Sequence, residues 1–168
     1  MLFGLRNFGF SEEDAVRRAG EVFSYFGMDS LKQRVPLTLS GGEKKRLCIA
    51  AVMAWNPDVL VLDEPTVGQD FPSKNRIFGT IRQLVKDGKT VIVVSHDLEF
   101  LWPLGARTVV MMGGKVVADG DAQEVFSDSP LLERAGLRQP QLVTISKLFG
   151  RTPAFRDVAE AAGWLSER

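Results

Sequence analysis

The chain has 168 residues, 45% of them apolar and 25% charged, and its 21 basic residues balance 21 acidic ones. That size and mix fit one globular domain with a buried core. The charge balance excludes the basic footprint of a nucleic-acid binder. No apolar run approaches the roughly 18–20 residues that span a bilayer. A lone cysteine, Cys48, excludes an internal disulfide, and its place in an apolar run predicts a buried, inert thiol. The first ten residues contain Gly4, Arg6 and Gly9 and lack a signal-peptide layout. The chain is therefore expected in the cytosol, or at a membrane through a partner.

Ser11 followed by Glu12, Glu13 and Asp14 reads as a helix cap with acids in the first turn. Ala15, Ala19, Val22, Phe23 and Phe26 recur at helical spacing, and Gly27 stops the run. A polar loop with Pro36 leads to Ser40-Gly41-Gly42-Glu43. Lys44 to Trp55 then reads as a helix, apolar on most faces and largely buried, broken by Asn56-Pro57. Val59 to Leu62 is an apolar run suited to a central parallel strand, and it ends in Asp63-Glu64-Pro65. Pro72 suits the first turn of a helix to about Lys86, with Ile77, Phe78, Ile81, Leu84 and Val85 inward. Thr90 to Val94 is a second apolar strand, ending in Ser95-His96-Asp97. Strand, helix, strand is the rhythm of an open α/β sheet. Arg107 to Met112 and Lys115 to Ala118, joined by Gly113-Gly114, predict a hairpin. From Ala122 onward the chain reads as short helices broken by Pro130, Pro140, Gly150 and Pro153.

Three clusters carry chemistry. In open α/β sheets ligands bind beyond the carboxyl ends of the strands, where Asp63 and Glu64 stand. One carboxylate there can hold Mg²⁺ and the other can orient and deprotonate a water. By themselves the two acids read equally well as a helix-capping pair. At Leu39-Ser40-Gly41-Gly42-Glu43, glycines and a helix start suit close approach of a phosphate, and the Ser40 hydroxyl adds a donor. Alone, this stretch is also a plain flexible cap. His96, the single histidine, follows the second strand and can hydrogen-bond a terminal phosphate; in isolation it is equally a loop residue without a role.

Order and spacing go further than any one cluster. Leu-Ser-Gly-Gly-Glu, a helix, four apolar residues with Asp-Glu-Pro, a Gly-x-Asp turn at Gly68 to Asp70, a helix, a strand and Ser-His-Asp together resemble the nucleotide-binding domain of ABC transporters. The match is firm from about Val35 to Gly120. The resemblance implies an α/β, P-loop NTPase-type fold: a mostly parallel sheet with flanking helices, a helical signature region over about 11–56, a core over 57–120 within residues 1–128, and a helical C-terminal extension over 129–168. It implies that Ser40, Gly41, Gly42 and Glu43 are the signature loop, which contacts the γ-phosphate of ATP held on an opposing subunit. Asp63 corresponds to the Walker B aspartate near Mg²⁺, Glu64 to the general base, Gly68-Gln69-Asp70 to the D-loop and His96 to the switch histidine. A second ATPase subunit and transmembrane transporter subunits are the implied partners, with the protein peripheral on the inner face of the cell membrane. Phe3 to Asn7, Thr66 to Asp70 and Ala135 to Pro140 are similar to the ATPase subunits of energy-coupling factor transporters, which import vitamins or metal ions such as cobalt and nickel.

The 168 residues contain no Gly-x-x-x-x-Gly-Lys-Ser/Thr phosphate loop, and the family's glutamine loop and adenine-stacking aromatic are also missing from them. Three readings follow. The chain is expected to be an N-terminally truncated or split importer ATPase, inactive by itself. Alternatively it is a non-catalytic module that lends only a signature face, or an ABC ATPase outside transport.

Overall fold

A computed structural model describes residues 1–167. The chain divides into two compact units, Met1–Val94 and one beginning at Ser95.

The first unit opens with α1 (Leu2–Asn7), a short helix that the sequence reading does not anticipate, and α2 (Glu12–Tyr25). Ser11 caps α2 by accepting the Asp14 N–H at 3.1 Å, as its position predicts. Ala15, Ala19 and Val22 point inward and pack with Leu5, Met28, Leu31, Leu39, Ala50 and Ala54. A paired Arg6–Glu12 contact at 2.7 Å ties α1 to the start of α2. Helix α3 (Gly41–Met53) begins three residues earlier than the expected Lys44, at the glycines themselves. It is less buried than its apolar run suggests: Ile49, Ala50 and Met53 face the core while Cys48 is exposed, against the expectation of a buried thiol. Arg18 on α2 closes the far end of α3, donating to the carbonyls of Ala54 at 2.9 Å and Met53 at 3.3 Å.

Strand β1 (Val59–Asp63), helix α4 (Phe71–Lys86) and strand β2 (Thr90–Val94) form the expected βαβ unit. The strands pair in parallel, Val59 with Thr90 through Asp63 with Val94. Asp70 caps α4, accepting from the Ser73 N–H at 2.9 Å, and a proline lies in its first turn. Ile77, Ile81 and Leu84 are buried, but Val85, expected inward, is exposed. The hydroxyl of Tyr25 on α2 donates to the Asp87 carboxylate at the end of α4. Burial, reinforced by that acid, pushes the phenol up to about 12, so it stays neutral at physiological pH. On β1, Leu60 and Leu62 are buried while Val59 and Val61 are 52% and 60% exposed; on β2, Ile92 and Val94 are 48% and 52% exposed. A face expected to be covered thus lies bare.

In the second unit, α5 (Leu98–Leu101) leads to a hairpin of β3 (Arg107–Met112) and β4 (Lys115–Asp121). Gly113 and Gly114 take the positive φ that a tight connection demands, at 56° and 75°. Register shifts at Val110/Met111, where Met111 pairs with Val116 and Val117 bulges. Helices α6 (Ala122–Ser127), α7 (Ser129–Arg134), α8 (Gln141–Leu148) and α9 (Val158–Ser166) follow. Pro130 follows the break at Asp128 between α6 and α7, as expected. It sits in the first turn of α7, where its missing N–H costs nothing. Trp102, Val110, Phe126, Leu131, Leu132 and Val143 share one core with Leu98, and the Trp102 indole donates to the Phe155 carbonyl at 2.8 Å.

Candidate functional site

The turn at residues 40–43 is a complete capping box. Ser40 Oγ accepts from the Glu43 N–H at 3.2 Å, and Glu43 Oε2 accepts from the Ser40 N–H at 2.7 Å. This reciprocal pair fixes the first turn of α3. Gly41 and Gly42, at the first helical positions, present amides that no helical carbonyl can accept, at the positive end of a 13-residue helix. An anion is the natural complement of such a turn. Arg34 lies 3.6 Å from Glu43 and holds the carboxylate from the other side.

Hydrogen bonds from Ser40 lower the Glu43 pKa. A carboxyl with a lowered folded pKa contributes stability above its ordinary value of 4.5, and that contribution is lost as pH falls through the folded value. Glu43→Gln is therefore expected to melt below the wild type at neutral pH. The gap should close as the solution is acidified through the range below 4.5, as read from thermal midpoints against pH.

Asp63 and Glu64 stand at the C-terminal tip of β1. Asp63 is exposed and Glu64 half-buried. Glu64 adopts φ +44°, a left-handed backbone rare for a side-chain-bearing residue. Its N–H donates to the Val94 carbonyl at 2.8 Å, and its own carbonyl accepts from Lys45 Nζ at 3.2 Å. The strand pair and helix α3 thus hold the strained residue from both ends, a pattern concentrated at functional sites. The following proline disfavours the right-handed helical region at Glu64 and points to extended backbone, so nothing in the sequence hints at this positive φ.

Asp70 caps α4, and it is the residues around it that approach the 40–43 turn. The Gln69 side chain, next to it, approaches Gly41 and Gly42, and Ser73 on the first turn of α4 sits beneath Gly42. Arg76 donates to Ser73 Oγ at 3.2 Å. Burial, and then repulsion from Arg76, lowers the pKa of Arg46 on α3. None of Ser73, Lys45, Arg46 or Arg76 stands out in the sequence, because nothing local marks a residue that meets its partner across the fold.

His96 belongs to the second unit, where it is exposed. The residues on both sides fix its backbone. Ser95 Oγ accepts the Asp97 N–H at 3.1 Å, and Asp97 caps α5 by accepting from Phe100 at 3.2 Å. The first unit therefore brings Gly41 and Gly42 together with Gln69 and Ser73, the neighbours of Asp70, and it joins Glu64 to α3 through Lys45.

Among the described residues no three potential ligands cluster tightly enough to enclose a metal. The Asp63-Glu64 pair fits a Mg²⁺ whose remaining ligands are phosphate oxygens and water, the usual habit of that ion.

Residues 5–67 match the family model described as ABC transporter. An energy-coupling factor transporter ATP-binding protein, EcfA2, of Methanospirillum hungatei is 39% identical over 145 residues, covering 86% of this chain and 36% of that protein. EcfA2 of Clostridium perfringens is 42% identical over 143 residues, 83% of this chain and 50% of that one. Among solved structures, cbiO1 of Clostridium perfringens, described as part of the ABC transporter complex cbiONQ, superposes with a TM-score of 0.69 at 32% identity over 87% of this chain and 59% of its own.

The chain belongs to the ABC transporter ATPase family. It spans about a third to a half of the length of the two curated relatives above. Among the described residues no helix is long and apolar enough to cross a membrane.

Proposed function

We propose that the chain serves as an ATPase subunit of an energy-coupling factor type importer, and that these 168 residues act on ATP through their signature face. The observation that carries this reading is the capping box at Ser40 and Glu43, seated against the Gln69–Ser73 segment. The box holds two glycine amides and the Ser40 hydroxyl toward one place, where the γ-phosphate of a nucleotide on an opposing subunit would sit. There the amides stabilise charge on the phosphoryl oxygens during transfer, with no reorganisation needed at the moment of reaction. Asp63 would hold Mg²⁺, Glu64 would orient and deprotonate the attacking water, and His96 would hydrogen-bond the terminal phosphate. Asp70 sets the D-loop at the subunit boundary. When bound, Mg²⁺ would supply neutralising charge to the phosphates. The names of the relatives support a transport role; a vitamin or metal ion as cargo, transmembrane subunits as partners and a place on the inner face of the membrane come from the resemblance to energy-coupling factor ATPases.

A second reading of the same residues is a module that lends only its signature to a partner's ATP. One experiment addresses both. Purified, monodisperse 168-residue chain is expected to show no ATP turnover, and to raise turnover when mixed with an ABC subunit that carries a phosphate loop. Robust hydrolysis by the chain alone, lost on Glu64→Gln, overturns the module reading. Absence of any stimulation overturns the role of the signature face.

A further inference from the structure

Helices α3 and α4 cross at their first turns with almost nothing between them. A methyl group added to Gly42 would overlap Ser73 Oγ, lie 3.0 Å from Ser73 Cβ and reach 3.2 Å from Gln69 Oε1. One added to Gly41 would meet Gln69 Nε2 at 3.7 Å, an ordinary contact. Ser73 is buried at 7% exposure, and Arg76 and the Asp70 cap hold it. Gly42 is not among the glycines with positive φ, so its backbone does not require glycine. The space does.

We propose that Ser73 is a positioning residue that seats Gly42 and makes the signature turn and the 68–70 turn move as one body. Both turns begin helices, and each is fixed by its own side-chain cap, at Ser40 and Asp70. Two capped helix starts in contact without an intervening Cβ have little freedom to shift separately, because close-packed contacts resist small displacements. A displacement at residues 68–70 therefore passes directly to the amides of residues 41 and 42. The crossing itself stands independently of ATP chemistry; its consequence for turnover rests on the function proposed above.

A double-substitution cycle tests the crossing in the full chain. Gly42→Ala is expected to lower the thermal midpoint by about 5 °C, although alanine is the better helix former. With Ser73→Gly in place, the same change should leave the midpoint level or raise it. Simple additivity of the two changes overturns the proposal. If Gly42→Ala alone does not fold, recovery of folding by Ser73→Gly supports the crossing and lack of recovery overturns it. Hydrogen exchange reads the coupling: Gly42→Ala should speed exchange at residues 68–70 as well as 40–43, and acceleration confined to 40–43 overturns joint movement. In the mixed assembly, Ser73→Val is expected to lower kcat about tenfold with KM for ATP unchanged, whereas Ser73→Ala stays near wild type. Equal loss from both overturns the positioning role. An assembly without stimulated turnover even in the wild type overturns the proposed function and leaves the thermal and exchange results to decide the crossing.

Discussion

Gly41→Asp is expected to cut ATP turnover of the mixed assembly by roughly 100-fold while leaving the chain as stable as before. The structural half of this expectation follows from the position. Gly41 is exposed, lies at the first turn of α3 and has helical rather than positive φ, with only Gln69 Nε2 within reach of an added Cβ. An acid in the first turn also complements the helix dipole. The functional half follows from the same chemistry. The aspartate would supply its own carboxylate to the amides that otherwise face phosphate, and like charge would repel the nucleotide. Loss of a single preorganised donor in such sites costs on the order of 100-fold. ATPase rates and thermal melts on one preparation check both halves. Unchanged turnover would remove the signature turn from the reaction, and a parallel loss of stability would make Gly41 a structural residue.

Phe126→Ala is expected to be the most damaging single truncation in the second unit. Phe126 is 1% exposed and packs 6.1 Å from the Trp102 ring, centroid to centroid, in the core shared with Val110, Leu132 and Val143. Removing a buried phenyl ring costs about 3–5 kcal/mol, from lost transfer energy and the cavity left behind. Against a total stability of about 5–15 kcal/mol this is a large share, equivalent to a midpoint lower by on the order of 10 °C for a chain of this size. Leu148, 79% exposed, is the control, and its change to alanine should stay within about 0.5 kcal/mol. Urea and thermal unfolding followed at Trp102 measure the difference. Equal effects from the two substitutions would mean that the ring does not anchor this core.

Local signals carried much of the architecture. Ser11 and Ser40 stand where a capping side chain must, and both cap. Asp87-Gly88 and Gly113-Gly114 end elements where φ turns positive at the glycines. The apolar runs before Asp63 and Ser95 became the parallel pair. The failures share a cause. Val85 and Cys48 lie in apolar stretches, but a helix has only one covered face, and composition does not say which residues fall outside it. The α1 helix is too short for periodicity to reveal. The seat beneath Gly42 joins residues far apart in the chain, so no window of sequence contains both. The Asp63-Glu64 pair was legible as a candidate site from its place after an apolar strand, and the role of Glu64 as base came from the family resemblance; its left-handed backbone and its tie to Lys45 needed coordinates.

The uncovered valines and isoleucine of the β1–β2 pair bear on the lifetime of this chain in a cell. Two strands alone are a marginal sheet, and their unpaired rims offer backbone groups to any extended peptide. Chaperones and quality-control proteases read such apolar, strand-forming stretches. Any species in which Val61 and Ile92 lie uncovered would be drawn into clumps or degraded.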